Sequence, residues 1–275
     1  MSESKLRITY FGHATILIEL DGMRVLTDPV LRRRVVHLRR LVAAPAPKAI
    51  DRLDGILISH LHFDHFDPGT LKTFDRGVTT IVPRGGAVRF LERSGFRDVR
   101  GAAPGTIVKL ETVAVRAVHA QHSGSRGTPG MSGPALGYLL HGSQSVYFAG
   151  DTDLFPEMAA LGRVDVALLP VAGWGPRLPE GDHMNPRRAA EALKILKPRL
   201  AIPIHWGTYT PLWVRGGYTA NQSAGGEFRR LAAELAPEVD IRVLAPGDAV
   251  TVPASTETGL GGMESTDHSY RPVRS

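Results

Sequence analysis

The chain has 275 residues, 43% hydrophobic and 22% charged, which suits one large domain or two small ones and excludes a disordered chain. It has no cysteine, so disulfides and thiolate metal sites are excluded and any metal must rest on nitrogen and oxygen. The net charge of +6 would suit nucleic acid or anionic lipid, yet no nucleic-acid recognition motif accompanies it; with neither a signal-peptide pattern nor an apolar run of ~20 residues, the expectation is a cytoplasmic protein without a transmembrane segment.

Leu6–Phe11, Ala14–Leu20 and Met23–Thr27 are rich in branched residues and read as strands, the last two joined by an Asp21-Gly22 hairpin turn. Gly55–Ser59 and Thr79–Pro83 are apolar runs of the buried-strand type, and a helix over Gly86–Ser94 stops at Gly95. Strands follow over Thr106–Leu110, Thr112–His119, Ala135–His141 and Ser145–Ala149. Next come a short helix after Asp153 with Pro156 in its first turn, a strand over Val164–Pro170, and a helix capped by Asn185 that runs from Pro186 to Lys197. A strand over Arg199–Ile204, a helix over about Ser223–Leu235, and strands over Ile241–Leu244 and Ala249–Val252 complete the series. Strands first, then strands alternating with helices, twice over, predict two sheets face to face with helices outside. Val30–Ile50, His122–Gly133, Ala172–Met184 and Trp206–Asn221 read as long loops, which in a compact domain are usually functional. The domain is expected to span residues 1–253, and the Ser, Thr, Gly and Pro-rich remainder, 254–275, to be a disordered tail.

The chemical signal is Ser59–Asp67, SHLHFDHFD, which holds H-x-H-x-D-H at His60, His62, Asp64 and His65. In an extended segment alternate side chains point the same way, so His60 and His62 can grip one cation. A turn into a helix begun by Asp67-Pro68 swings Asp64 and His65 toward a neighbouring point. Imidazole and carboxylate together suit zinc. His122, Asp151 and His205 each stand at a strand end beside a loop, where sites in sheet proteins collect. His119 competes with His122, and the glycine-rich turn after His122 favours the latter.

With these residues the chain resembles the metallo-β-lactamase superfamily, whose α/β fold is a four-layer αββα sandwich with a binuclear metal site in the seam. The matching motifs are Asp28 in LTDP, His60–His65, His122, Asp151 and His205. YFGHATILIE, AQHSGSR, YFAGDTD, LLPV, DHMNPRRAAE and PIHWGT are similar to the branch that includes N-acyl-phosphatidylethanolamine phospholipase D and the L-ascorbate 6-phosphate lactonases. That branch uses the histidine after Ala-Gln as a ligand, which is His122 here, and carries an extra histidine where His183 stands. The segment Arg32–Ala46 has no counterpart in its pattern.

The resemblance implies two divalent ions, Zn2+ first with Mn2+ or Fe2+ as alternatives. One is held by His60, His62 and His122, the other by Asp64, His65 and His205, and Asp151 bridges them with a water. A histidine at position 62, where flavodiiron relatives use glutamate, favours hydrolysis over oxygen reduction. A hydroxide between the metals would attack a small, anionic phosphodiester, phospholipid-like ester or lactone. Asp64 would orient the nucleophile, and His183 would bind the anion or deliver a proton to the leaving group. Asp28 and His13 would orient ligands from behind. Gly12 and Gly150 would permit close backbone approach, and Arg126, Trp174, Arg177, Trp206 and Tyr209 are candidates for substrate contact. Competing readings are an RNA- or DNA-processing nuclease of the same superfamily and a metal-containing sensor without turnover.

Overall fold

Asp21 and Gly22 both take positive φ, 50° and 84°, as a two-residue hairpin turn of the primed type demands. The flanking strands pair in register, Ile16 with Thr27 and Leu20 with Met23. The computed structural model describes residues 6–124, 131–173, 181–214 and 219–254. Its strands in chain order are β1 (Leu6–Tyr10), β2 (Ile16–Leu20), β3 (Met23–Thr27), β4 (Arg34–Val35), β5 (Leu38–Arg40), β6 (Gly55–Leu57), β7 (Thr79–Pro83), β8 (Val99–Ala102), β9 (Ile107–Leu110), β10 (Val113–His119), β11 (Leu136–His141), β12 (Ser145–Phe148), β13 (Val166–Pro170), β14 (Leu200–Ile204), β15 (Tyr209–Pro211), β16 (Asp240–Ile241) and β17 (Ala249–Val252). The α-helices are α1 (Pro68–Leu71), α2 (Gly86–Arg93), α3 (Pro186–Leu196) and α4 (Thr219–Leu235).

Two seven-stranded sheets carry the fold, in the orders β17-β1-β2-β3-β6-β7-β8 and β16-β14-β13-β12-β11-β10-β9. Each opens as an antiparallel meander and continues in parallel. Alternation along the strands sorts the apolar residues into layers. Ile16 and Ile18 of β2 face Tyr138, Phe148, Leu168 and Ile202 of the second sheet in one buried cluster between the sheets. The residues between them, Leu139, Tyr147, Ala167, Leu169 and Ala201, turn outward onto Ala189, Leu193, Phe228 and Leu231 of α3 and α4. Ile56 and Val82 turn outward onto Leu71, Ala87 and Leu91 of α1 and α2. The result is the αββα sandwich, and each such buried Leu, Ile or Phe contributes roughly 1.5–3 kcal/mol.

The pairing directions bring the C-terminal ends of β1, β3 and β6 to one edge of the first sheet, and those of β10, β12, β13 and β14 to one edge of the second. Every strand-end residue singled out in the sequence follows one of these ends. The α3 caps are as the sequence predicts: Asn185 accepts from the Arg188 N–H at 3.0 Å, and Lys197 closes the helix at φ 45°.

Two predicted loops contain structure. Residues Val30–Ile50 hold β4 and β5, and β15 lies in the segment after Trp206; together they form a third sheet, β15-β5-β4. Their alternation is hidden because one buried position is an arginine, Arg40, which reads as polar. The edge strand β8 escapes notice because Arg100 and Gly101 interrupt its apolar pattern. The expected strand Ile241–Leu244 shrinks to β16, whose short pairing with β14 ends at Ile241. The expected tail beyond Ala254 lies outside the described residues. No described helix is long and apolar enough to cross a membrane.

Candidate metal centre

The turns that carry the site are backbone-strained. His13, Asp28 and His205 have φ of 58°, 34° and 60°, a region that costs a side chain on the order of 1 kcal/mol or more and that persists where surroundings dictate it. Gly150 (φ 62°) precedes Asp151, and a Cβ there would stand 2.7 Å from the Ser59 Cβ, so glycine is required where β12 passes the His60 loop.

Four imidazoles are anchored through Nδ1, which turns Nε2 inward. His65 Nδ1 donates to Asp28 Oδ2 at 2.7 Å, His122 Nδ1 to the Asp182 carbonyl at 2.9 Å, and His205 Nδ1 to the Ala172 carbonyl at 2.8 Å. The Ser59 hydroxyl donates to Asp28 at 2.6 Å and so has only lone pairs for His60 Nδ1, 3.0 Å away. Each ring therefore presents an unprotonated Nε2 when neutral, which is the form a metal takes.

These nitrogens converge. His60 Nε2 lies 3.0 Å from His62 Nδ1, and His122 Nε2 lies 3.2 Å from the same atom. Such spacings approach the tetrahedral edge of about 3.4 Å that Zn–N bonds of about 2.1 Å generate. Asp151 Oδ2 stands 3.1 Å from His65 Nε2, 3.2 Å from His205 Nε2 and 3.8 Å from His60 Nε2. Asp64 Oδ2 stands 3.7 Å from His65 Nε2 and 3.5 Å from His205 Nε2. Ligating atoms of His60, His62 and His122 form one set within 4.8 Å, those of His60, His65 and Asp151 a second, and those of His13, Asp64, His65 and His205 a third.

The electrostatics call for cations. Burial opposes charge on His65, yet the carboxylates of Asp151, Asp64 and Asp28 outweigh it and hold the imidazole pKa well above its usual value. His205 behaves likewise: burial opposes its charge, but Asp151 and Asp64 raise it to about 9. Burial would raise Asp151 and Asp64, but the neighbouring histidines hold both well below the carboxylate range. Protons on His65 and His205 thus stand where the carboxylates demand positive charge. His65 Nε2 and Asp151 Oδ1 are buried without a hydrogen bond to a described residue. This donor set fits divalent cations.

His183 packs edge-on against His122, with ring centroids 4.6 Å apart, and its Nδ1 is 3.7 Å from Asp151 Oδ2. Burial and then the opposing charge of Asp151 bring its pKa to about 4. His13 donates through Nε2 to Asp64 Oδ2 at 3.0 Å, so the candidate ligand it holds is a carboxylate. Burial, reinforced by His205, lowers its pKa to about 3. His119 is exposed and packs against Phe155, apart from these sets. Trp206 packs under Gly225 of α4 and donates to the Pro203 carbonyl at 2.9 Å. Tyr209, a candidate for substrate contact in the sequence, is instead buried against His13 and donates to the Val30 carbonyl at 2.8 Å. Arg126, Trp174 and Arg177 lie outside the described residues.

Three residues went unnoticed in the sequence. Ser59 joins Asp28 to His60, and Asp182 holds His122 through its carbonyl and, at 2.8 Å, its Oδ1. Both sit beside singled-out histidines, a signal present but undirected. Arg40 is buried, and its guanidinium donates to the carbonyls of Phe11 and Val30 and to the Tyr209 hydroxyl. One side chain thereby ties together the loops that carry His13, Asp28 and His205.

A family model described as "Beta-lactamase superfamily domain" matches residues 23–206. The chain belongs to the metallo-β-lactamase superfamily. A metal-dependent hydrolase of Methanopyrus kandleri is 32% identical over 251 residues, covering 89% of this chain and 99% of that protein. The N-acyl-phosphatidylethanolamine-hydrolyzing phospholipase D 1 of Caenorhabditis elegans is 31% identical over 234 residues, 76% of this chain and 65% of that protein. Igni18, a metallo hydrolase of Ignicoccus hospitalis, superposes with a TM-score of 0.71 at 26% identity over 90% of this chain and 99% of its own. The chain is a metal-dependent hydrolase whose His/Asp cluster can hold metal. In this hydrolase Arg40, on β5 of the third sheet, links that sheet to the loops that carry the site.

Proposed function

We propose that this hydrolase has two cation positions sharing Asp151 and cleaves a small anionic ester: a phosphodiester, a phospholipid-like ester or a lactone. The observation that carries the reading is Asp151 Oδ2, within 3.1–3.8 Å of His65, His205 and His60, so one carboxylate oxygen borders both sets of donors. His60, His62 and His122 would hold one ion, and Asp64, His65 and His205 the other. Divalent cations bound there would supply Lewis acidity, acidifying a water and polarising the ester oxygen. Zinc is the proposed ion because imidazole dominates the donors.

The chain's own residues do the rest. Asp28 and Ser59 fix the tautomers of His65 and His60. His13 holds Asp64 in the orientation from which its carboxylate can direct a water. His183 stands between His122 and Asp151, neutral near pH 7, where a hydrogen bond to an ester or phosphate oxygen would orient the substrate. The similarity to the C. elegans phospholipase D supports the phosphodiester arm.

Elemental analysis of purified protein beside a His60→Ala/His62→Ala variant, with both assayed on bis(p-nitrophenyl) phosphate and a lactone panel, tests the reading. About two metal ions per chain and turnover, both lost in the variant, are expected. Metal-free protein after reconstitution would overturn it. Bound metal with no turnover on any substrate would replace it by the sensor reading.

A further inference from the structure

The charge of the chain is concentrated in one place. Of 33 basic and 27 acidic residues, the segment Val30–Ile50 holds six basic and no acidic ones, so the rest of the chain is balanced. Arg33, Arg34 and Lys48 are exposed, and Arg33 and Arg34 make no ion pair among the described residues. The exposed apolar surface is concentrated in the same place. Five large hydrophobic side chains are exposed among the described residues, and three of them, Val36 (59%), Leu212 (45%) and Trp213 (72%), sit at the tip of the third sheet. The tip is built, not frayed. The Leu212 N–H donates to the His37 carbonyl at 2.9 Å, and the Trp213 ring stacks on His37 with centroids 5.6 Å apart and planes 21° from parallel. A fourth exposed apolar side chain, Phe63, lies within the H-x-H-x-D-H loop.

We propose that the tip of the third sheet, Val36, Leu212 and Trp213 flanked by Arg33 and Arg34, is a docking surface for an anionic phospholipid bilayer. Tryptophan and aliphatic side chains enter the headgroup–acyl boundary, while arginines stay at the phosphates. Two other occupants fit less well. A second copy across a two-fold axis would set the same arginines against each other. Single-stranded nucleic acid needs open aromatic faces for stacking, but His37 covers one face of Trp213, and Val36 and Leu212 offer only methyl groups. The sheet is also tied to the centre: β15 begins four residues after His205, and Arg40 of β5 holds the Phe11 carbonyl beside Gly12-His13. Docking by the tip would hold the site's rim against the membrane. The inference does not depend on which ester is cleaved.

Co-sedimentation of the full, metal-loaded chain with vesicles tests it, using phosphatidylcholine alone or an equimolar mixture with phosphatidylglycerol. The mixed vesicles should bind the protein and the neutral ones little, with binding falling as salt rises. Arg33→Glu/Arg34→Glu should weaken partitioning at least ~30-fold, each arginine being worth about fivefold. Trp213→Ser should weaken it roughly tenfold, and Trp213→Phe should restore it, all with unchanged metal content and melting temperature. No binding to mixed vesicles, or equal binding by Trp213→Ser, overturns the proposal. So does a concentration-dependent dimer, or tighter capture of a labelled single-stranded RNA, abolished by these same variants while vesicle binding is absent.

Discussion

Asp28 Oδ2 lies 2.7 Å from His65 Nδ1, and both side chains are fully buried. The same carboxylate accepts from the Ser59 N–H at 2.7 Å and the Ser59 hydroxyl at 2.6 Å, so every bond it makes is as an acceptor. Asp28→Asn places an NH2 group where only acceptors serve, and either His65 must change tautomer or Ser59 must release His60. Loss of such a supporting carboxylate costs about 10–100-fold in metal affinity. Competition of the Asp28→Asn protein against a chromogenic chelator should show a fall of that size. Wild-type affinity would leave Asp28 as packing alone.

The same pair shows what the sequence could and could not reveal. Hydrophobic alternation and turn chemistry made both sheets, the Asp21-Gly22 hairpin and the Asn185 cap legible, because each depends on neighbours in sequence. The histidines and aspartates were legible because their spacing in SHLHFDH is rare and the rest follow strand ends. Ser59 and Asp182 were not, since a serine or aspartate gains meaning here only from partners 31 and 60 residues away. Tyr209 and Trp206 are candidates for substrate contact by sequence but pack inward in the fold, because aromatic residues near a site look alike in sequence whether they face solvent or the core. The third sheet was hidden by its buried arginine.

Arg40 makes three charge-assisted bonds, to Phe11, Val30 and Tyr209; removing it strands the buried Phe11 carbonyl and leaves Val30 with the Tyr209 hydroxyl alone. Arg40→Met should destabilise the fold by about 3 kcal/mol, and a domain of this size then melts roughly 6–12 °C lower. Arg40→Lys keeps the charge but not the fork, so one ammonium cannot reach all three loops. It should recover part of the melting temperature while metal affinity stays reduced. Full recovery of both in Arg40→Lys would show that charge alone is required, and unchanged metal affinity in both variants would remove Arg40 from the support of the site.

His183 has two candidate roles, hydrogen-bond donor to the substrate anion and proton donor to the leaving group, and one substitution series separates them. Its Nδ1 is buried with no hydrogen bond to a described residue and lies 3.7 Å from Asp151 Oδ2, while its Nε2 lies 3.7 Å from Asp182 Oδ2. Burial lowers its pKa to about 4, so above about pH 5 the ring is neutral and donates one N–H. The neutral form suits the hydrogen-bonding role, since a group charged only below that pH holds little proton to deliver at pH 7. His183→Ala should keep its full metal content and lose about 100-fold in kcat. His183→Gln, which retains an N–H donor but cannot ionise, should recover most of that loss, and the pH profile between 6 and 8 should keep its shape. If the glutamine variant is as slow as the alanine one and the wild type alone loses rate as pH rises, His183 delivers the proton; if neither variant is slowed, it takes no part in the reaction.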